Sequence, residues 1–309
     1  MRSWGEKPYH SLDYELKQRF GEKVYKLTLN GGMSCPNRDG KISFGGCIFC
    51  SAGGSGEFAS SAALPIPEQI QDAKKRLAGK RPVNQYIAYF QAYTNTYASI
   101  DRLKALYEEA LSVDGTVGIA IGTRPDCISD ELLDYLSELS KRTFLIVEYG
   151  IESTYDATLR RINRGHDYAT AIDAVERTAA RGIRVGAHFI LGLPGESRTM
   201  LVEQAAVISR LPLTTLKLHQ LQLIRGTRMA QEYEEVPQDF SLFSLDDYVE
   251  TVVDFVERLR PDIVLERFAS SSPKELLIAP DWGIKNYELV EKVKRRMRER
   301  DTWQGKLYV

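Results

Sequence analysis

Short runs of aliphatic and β-branched residues alternate with longer segments of helical periodicity between residues 24 and 221. The apolar runs predict six strands, at 24–29, 85–90, 116–121, 143–149, 183–191 and 215–221. Segments with apolar residues three and four positions apart predict helices between them, at 67–77, 100–111, 130–140, 155–162, 169–181 and 198–211. Since a helical segment precedes each strand after the first, right-handed crossovers would join parallel strands. The pattern predicts an α/β fold, a partial (β/α)6 TIM-like barrel.

The pattern changes after about residue 225, where charged helical segments at 246–259 and 287–300 replace the alternation. We therefore expect two regions. Residues 1–225 would form the barrel with an N-terminal arm, and residues 226–309 would form a helical extension that acts as a lid and contacts substrate. A stretch of serines at 270–272 reads by composition as a turn-rich linker or as a loop over the barrel mouth.

Polar and glycine-rich loops follow five of the predicted strands. In barrels of this kind the chemistry lies at the carboxyl ends of the strands, because loops there vary without disturbing the sheet. The loops that would line one mouth are the cysteine loop after the first strand and the segments 91–97, 122–127, 150–153 and 192–196.

Three cysteines in the first of these loops, Cys35, Cys47 and Cys50, are spaced C-x11-C-x2-C. Three thiolates on a [4Fe-4S] cluster leave one iron open to a small-molecule ligand, whereas electron-transfer ferredoxins use four. The alternative is a structural zinc site completed by Cys127 or by one of the histidines His10, His166, His188 and His219. None of these is paired at the usual ligand spacing, so we favour the cluster.

Composition limits the remaining classes. The 309 residues are 43% hydrophobic and 27% charged, which suits a globular chain with a substantial core. There is no long apolar stretch and no leader-like N-terminus, so we expect a cytoplasmic protein without a membrane partner. The 41 basic and 42 acidic residues do not predict a polyanionic partner by net charge. Locally, residues 74–81 and 292–300 are basic, typical of a solvated helix face or of a surface that follows phosphates.

Six motifs in barrel order resemble radical S-adenosylmethionine (SAM) enzymes of the YtqA/YhcC type and the radical SAM part of the Elongator catalytic subunit. Beside the cysteine loop they read FQAYTNT at 90–96, TRPD at 123–126, VEYGIES at 147–153, RINRGH at 161–166 and LGLPGE at 191–196. The segment after them is too short for the acetyltransferase domain of the Elongator subunit. Each motif alone is weak evidence, but together they span most of the predicted barrel.

The resemblance implies a [4Fe-4S] cluster held by the three thiols, and SAM cleaved reductively to a 5′-deoxyadenosyl radical. It places Phe49 against the adenine and the backbone of Ala92, Tyr93 and Thr94 at the amino group of SAM. Three further positions match SAM contacts more loosely, namely Glu152 near the ribose, Arg164 near the carboxylate and His188. Gly122 departs from relatives that carry Glu there.

Five further residues are candidates for substrate contact: Gln91, Asn95, Cys127, Glu148 and His219. Each has a structural alternative, because strand histidines are usually core residues and a lone cysteine is usually a small buried hydrophobe. Glu148 stands out, since an ionisable side chain in an apolar strand needs a partner or a polar cavity.

The substrate follows from the resemblance alone. Relatives in these branches act on the C5 side chain of the wobble uridine of tRNA, which implies a tRNA substrate, an electron donor such as flavodoxin or ferredoxin, and a separate downstream methyltransferase. Tyrosines Tyr93, Tyr97 and Tyr149 would then stack an extruded base. Two alternatives stay open here: a radical SAM enzyme acting on a tetrapyrrole or cofactor precursor, and a non-enzymatic, zinc-stabilised barrel that binds RNA or a protein partner.

Overall fold

One curled sheet of seven parallel strands organises the fold in the computed structural model, which describes residues 4–54, 56, 58–78 and 83–309. Its strands, in spatial order, are β1 (Val24–Leu29), β2 (Gln85–Phe90), β3 (Thr116–Thr123), β4 (Phe144–Glu152), β5 (Arg184–Leu191), β6 (Thr215–Gln220) and β8 (Val264–Arg267). A short antiparallel pair, β7 (Leu223–Ile224) and β9 (Leu277–Ala279), lies outside this sheet.

Helices connect successive strands, as parallel pairing requires. In chain order they are α1 (Leu12–Phe20), α2 (Ile66–Ala78), α3 (Ile100–Leu111), α4 (Asp130–Arg142), α5 (Asp156–Arg161), α6 (Tyr168–Ala180), α7 (Arg198–Ile208), α8 (Arg228–Glu235), α9 (Leu245–Arg258) and α10 (Asn286–Glu299). Several begin at a side-chain cap: Ser129, Asp167 and Ser197 each accept a hydrogen bond from a backbone N–H of the first turn of α4, α6 or α7.

The six predicted strands and the predicted barrel are confirmed, with strand ends shifted by up to three residues. The seventh strand, β8, comes from the region that the sequence pattern assigned to a helical extension. Only four residues long, it carries Glu266 and Arg267 after Val264 and Leu265, so it lacks the apolar run by which the other strands were recognised. The extension therefore completes the sheet as well as flanking it.

The two edges of the sheet, β1 and β8, are brought together by side chains rather than by a backbone ladder. Lys26 Nζ on β1 lies 2.6 Å from Glu266 Oε2 on β8. The segment before α1 covers the β8 edge, where the Leu265 N–H donates to the His10 carbonyl at 2.7 Å. Gln304 fastens this segment, since its Oε1 accepts from the His10 N–H at 2.9 Å and its Nε2 donates to the Ile263 carbonyl.

Lys26 and Glu266 belong to a group of four charges inside the half-barrel, completed by Glu148 on β4 and Lys217 on β6. We call these four residues the charge cluster. Glu148 accepts from Lys26 and Lys217 at 2.5 Å each, and Lys217 lies 3.0 Å from Glu266. The side chains of Glu148 and Lys217 are only 1% and 2% exposed. Two cations and two anions balance, which is the condition under which buried charges are tolerated.

Removing one charge from this cluster should destabilise the fold strongly. Glu148→Gln keeps the size of the side chain and leaves two lysines facing one glutamate, so we expect a loss of about 3–5 kcal/mol in the free energy of unfolding. The matched control is Glu138→Gln, because Glu138 pairs with Lys141 on the exposed face of α4, where a loss within about 1 kcal/mol is expected. Urea unfolding of both variants measures the difference. Equal losses would show that the cluster is not a major source of stability.

The difference in unfolding free energy between wild type and Glu148→Gln should also depend on pH. Burial works against the charge of Glu148, but Lys217 and Lys26 overcome it and hold its pKa well below the ordinary value of 4.5. A lowered native-state pKa contributes stability above about pH 4.5 that is lost as the pH falls further. The advantage of the wild type over Glu148→Gln should therefore be full at pH 7 and shrink below pH 4.5; an advantage that grows on acidification would contradict this assignment.

Candidate active site

A cavity of about 490 Å³ opens at the carboxyl ends of the strands, within the usual size range of small-molecule sites. The sheet, the cysteine loop and the C-terminal region all contribute to its walls. Its lining includes the three cysteines of the loop and Phe49, Gln91, Tyr93, Thr94, Glu148, Glu152, Arg164, His188 and His219. The structure thus brings together twelve of the fifteen residues that the sequence analysis selected.

The cysteine loop, residues 35–50, is fixed by backbone hydrogen bonds at both ends. The Cys35 carbonyl accepts from the N–H groups of Arg38 and Asp39, and the Cys50 N–H donates to the Cys47 carbonyl at 3.0 Å. Between them Ile48 bonds to the Ile162 carbonyl. Cys47 is buried, whereas Cys35 and Cys50 remain partly accessible from the cavity.

Nitrogen donors surround the thiols. Arg164 Nη1 lies 3.4 Å and Asn37 Nδ2 3.6 Å from Cys47 Sγ. Arg38 donates to the carbonyls of Cys50 and Ser51 at 3.0 and 2.5 Å. Burial opposes the charge of Arg164, but contact with Cys47 and Glu152 raises its pKa above the ordinary value. Arg38 and Arg164 therefore place positive charge beside the cysteine sulfur atoms, which bind metals in their thiolate form.

The backbone at the end of β4 makes room for Arg164. Glu152 has a φ of +72°, and the pairing of β4 with β5 shifts register between Gly150 and Glu152. The Gly150 carbonyl accepts from Arg164 Nη2 at 2.6 Å, and a Cβ on Gly150 would lie 2.5 Å from the Glu152 carboxylate. A left-handed Glu whose carboxylate fills the space over Gly150 is the kind of strain that accumulates at functional sites.

The segment 92–94 packs tightly against the residues that follow the cysteine loop. A Cβ on Gly54 would meet the Tyr93 ring at 2.5 Å, and Tyr93 adopts a φ of +60°. The N–H groups of Tyr93 and Thr94 donate to the carbonyls of Gly54 and Ser34. The Thr94 carbonyl accepts from the Tyr97 N–H and Ala92 is fully buried, so within the described residues the Tyr93 carbonyl is the acceptor of this segment left for a ligand. A carbonyl acceptor suits an ammonium group.

A second polar group lies across the cavity and contains Glu148, His188 and His219. His188 Nε2 is 3.0 Å from Glu148 Oε2, and the two imidazole rings are 5.4 Å apart. Burial and the nearby Lys217 lower the pKa of His188, and burial together with His188 lowers that of His219 well below its ordinary value. Both rings are therefore neutral at pH 7, and His219 Nε2 is a shielded atom without a partner among the described residues.

Three predicted residues do not line the cavity. Ala92 is fully buried, and Asn95 serves the fold, since its Nδ2 donates to the carbonyls of Phe90 and Gly122. Cys127 lies in the turn after β3, with its thiol 3.8 Å from Asp126 Oδ1, and burial raises its pKa to about 12. A substrate role for Asn95 or Cys127 is not supported by these positions.

Two of the three tyrosines expected at the mouth lie elsewhere. Tyr149 is fully buried and its hydroxyl pairs with Thr178 Oγ1 at 2.7 Å, because its strand position directs it to the helices. Tyr97 lies beside Lys41, with the ammonium 5.4 Å from the ring centre, outside the cavity lining. Of these three tyrosines, Tyr93 lines the cavity.

The basic segment 292–300 is largely neutralised. Arg296 lies 2.5 Å from Glu250 on α9, Arg300 pairs with Asp254 and Glu257, and Lys294 pairs with Glu291. Partners on α9 and within α10 thus neutralise several of these cations, and a phosphate-following surface in this segment stays a prediction. In the other basic segment, Lys80 and Arg81 lie outside the described residues.

Several residues of the site escaped the sequence analysis. Lys26 and Lys217 carry the same signal as Glu148, an ionisable side chain within an apolar strand. Asn286 carries no such signal, whereas the serine stretch 270–272 was expected as a linker or as a loop over the barrel mouth. Together these residues form the C-terminal wall of the cavity, which we define as Ser270, Ser271, Ser272 and Asn286. It is fastened to the end of β6, where Gln220 exchanges two hydrogen bonds with the backbone of Ser270.

The residues around the thiols fit an iron–sulfur cluster with a bound amino acid group. Buried atoms without partners among the described residues cluster here, including Asn37 Oδ1, Arg124 Nη1 and Arg164 Nε. Within the described ranges no three His, Cys, Asp or Glu side chains converge closely enough for a single metal ion. Three thiolates on separate corners of a cube need no such convergence.

A curled parallel half-barrel with three thiols at the carboxyl ends of its strands defines an iron–sulfur enzyme that leaves one iron open. The chain belongs to the Radical SAM superfamily, whose model matches residues 35–206, and the Radical_SAM C-terminal domain matches residues 213–299. Enzymes of this superfamily use a [4Fe-4S] cluster and SAM. Membership also sets aside the non-enzymatic zinc barrel.

Three individual proteins show which members of this superfamily the chain resembles. The chain is 42% identical to YtqA of Bacillus subtilis over 98% of its own length and 94% of that protein. It is 25% identical to a tRNA uridine(34) acetyltransferase of Methanocaldococcus infernus, over 62% of this chain and 36% of that one. The structure of the archaeal M. infernus Elp3 shares the fold with a TM-score of 0.69 and 17% identity; the match covers 91% of this chain and 64% of that one.

Across the part of the chain that the structure describes, no helix has the length and apolar character needed to cross a membrane.

The thiol assignment predicts which cysteine variants lose iron. After anaerobic reconstitution, Cys47→Ala should lose the cluster, while wild type and Cys127→Ala should each hold about four irons per chain. Iron analysis and the visible spectrum measure this, and Cys127 is the matched control because it lies outside the cavity. Equal iron loss in both variants would remove the three-thiol assignment.

Arg164 should tune the centre that Cys47 helps to hold. Arg164→Gln keeps hydrogen-bond donors but removes the charge beside Cys47, so the reduction potential of the reconstituted protein should fall by roughly tens of millivolts. Redox titration followed by EPR measures the shift. Arg161→Gln is the control, since Arg161 pairs with Glu232 at the surface. An unchanged potential in Arg164→Gln would show that its charge is not felt at the centre.

Proposed function

We propose that this radical SAM enzyme modifies the C5 side chain of the wobble uridine of tRNA, by trimming or building that side chain. The observation that carries the proposal is the sequence similarity to a protein named for chemistry on uridine 34 of tRNA, which covers 62% of this chain. Human Elongator complex protein 3 matches 61% of this chain at 27% identity and supports the same substrate class.

The residues of the cavity have different roles. When bound, the cluster and SAM supply the one-electron chemistry that lets an enzyme take a hydrogen atom from an unactivated carbon. Cys35, Cys47 and Cys50 would hold the cluster, and Arg164 would offset its negative charge. The Tyr93 carbonyl would accept from the amino group of SAM, with Phe49 and Glu152 at its nucleoside end. Ile190 and Leu221 add apolar surface that excludes water from the lining.

Exposed cations at the mouth offer a surface for the RNA backbone. We call Arg225, Lys274 and Lys285 the mouth cations. Each lies within two residues of a cavity-lining position, at Ile224, Ser272 or Asn286. Arg225 Nε reaches the Glu275 carbonyl only at 3.5 Å, and none of the three forms an ion pair with a described residue. Unlike Lys294, Arg295 and Arg296 of α10, they are available to phosphates.

Further partners follow from the same proposal. The enzyme requires a one-electron donor of the flavodoxin or ferredoxin type, and a separate methyltransferase would complete the product if the radical step leaves a free amine or carboxylate.

The direct test combines a cofactor readout with a substrate readout. Reconstituted protein, dithionite and SAM are incubated with tRNA from cells that lack the enzyme. We expect 5′-deoxyadenosine together with a mass change in the nucleoside from position 34, seen by liquid chromatography and mass spectrometry. If 5′-deoxyadenosine forms while every tRNA nucleoside keeps its mass, the substrate is not tRNA and a tetrapyrrole or cofactor precursor becomes the next candidate.

The mouth cations should govern the salt dependence of tRNA binding. Replacing all three by Ala should reduce the slope of log affinity against log salt by about 2–3, because each phosphate contact releases counterions. Filter binding from 50 to 200 mM salt measures the slope. The matched control replaces Lys294, Arg295 and Arg296 of α10 by Gln. We expect no change in the slope, because these cations already form ion pairs with glutamates of the protein. A flatter slope in the control alone would place the RNA on α10 instead.

A further inference from the structure

The sequence resemblance assigns His188 to SAM binding, but that role does not explain the contacts His188 makes in the cavity. Its contacts join it to the charge cluster through Glu148, and its ring faces His219. The group around the thiols is separate: Arg164 contacts Cys47, Gly150 and Glu152. No side-chain hydrogen bond or ion pair joins the described residues of these two groups, although Gly150 and His188 are paired through the backbone of β4 and β5. The cavity therefore has a cysteine side and a histidine side.

The hydrogen bond to Glu148 fixes which nitrogen of His188 carries the proton. Glu148 is ionised, because Lys26 and Lys217 both contact its carboxylate, so its oxygens only accept. His188 Nε2 must then be the donor, at 3.0 Å. Since the ring is neutral, Nδ1 carries a lone pair and no hydrogen.

Nδ1 is open to the cavity. It makes no hydrogen bond with the described residues, and it is not among the buried atoms that lack a partner. The His188 side chain is 19% exposed and lines the cavity. A fixed acceptor thus points at the space where a ligand would lie, and only a ligand with an N–H or O–H group satisfies it.

We propose that His188 Nδ1 accepts a hydrogen bond from the substrate, and that in a tRNA uridine the donor is the imide N3–H. The inference rests on the proposed function and adds to it how the base is recognised. Enzymes that act on an extruded base commonly read its Watson–Crick edge. Uracil presents a donor at N3 where cytosine presents an acceptor, so this contact selects uridine over cytidine.

Two substitutions separate the acceptor from the contact with Glu148. His188→Gln places an amide N–H near the position of Nε2, which keeps the donor to Glu148 and removes the acceptor at Nδ1. His188→Asn places an amide oxygen near Nδ1, which keeps the acceptor and gives up the donor. If His188 only packed the core, the Gln variant would behave like wild type towards any ligand.

The experiment measures binding of three anticodon stem-loop RNAs to the reconstituted holoenzyme with SAM, by fluorescence anisotropy. The RNAs differ only at position 34, which is uridine, 3-methyluridine or cytidine. Wild type should bind the uridine RNA roughly tenfold more tightly than the other two, as expected for one lost hydrogen bond with a buried partner. His188→Gln should abolish this preference, and His188→Asn should retain part of it. SAM affinity, measured by equilibrium dialysis, should stay unchanged in both variants.

Each contrary result has its own meaning. Wild type that binds all three RNAs equally overturns this inference and leaves the proposed function standing; this comparison needs no variant to fold. His188→Gln that keeps the preference for uridine also overturns it. Loss of SAM affinity in His188→Gln with the preference intact would assign His188 to the cofactor instead. Wild type that binds none of the RNAs more tightly than an unrelated hairpin overturns the inference together with the tRNA proposal.

Discussion

The contact between Lys26 and Glu266 joins strands that lie at opposite edges of the sheet, at 2.6 Å. A parallel sheet of seven strands does not close by backbone pairing alone, so its interior would be open to water along one side. Four balanced charges occupy that interior, and Glu148 in their midst orients His188. The interaction that draws the edges together therefore also sets the polarity of the cavity above it.

Each side of the cavity follows from this arrangement. On the cysteine side, arginines provide positive charge beside sulfur. On the histidine side, burial and neighbouring cations keep two imidazoles neutral. One pocket thus contains a region suited to an anionic cluster and a region suited to uncharged hydrogen bonding.

The sequence was sufficient for the features that depend on local pattern. Apolar runs marked six strands, and cysteine spacing marked the loop, because both are written within a few consecutive residues. The sequence was not sufficient for contacts between residues that are distant along the chain. Tyr149 seemed to belong to the mouth until its strand register turned it towards Thr178, and Asn95 proved to satisfy two strand-end carbonyls. Arg296 and Arg300 find their partners on α9. The charge cluster joins residues from four strands, so it could not be found one strand at a time.

The C-terminal wall has a consequence for how the protein is made. Chains fold from the N-terminal side as they are synthesised, so the cysteine loop emerges long before β8, Ser270 and Asn286. Until those residues dock, the cavity lacks the wall that they contribute. We therefore expect maturation of the iron–sulfur centre to follow completion of the fold, because a nascent chain halted after β6 would present its three thiols in half a pocket.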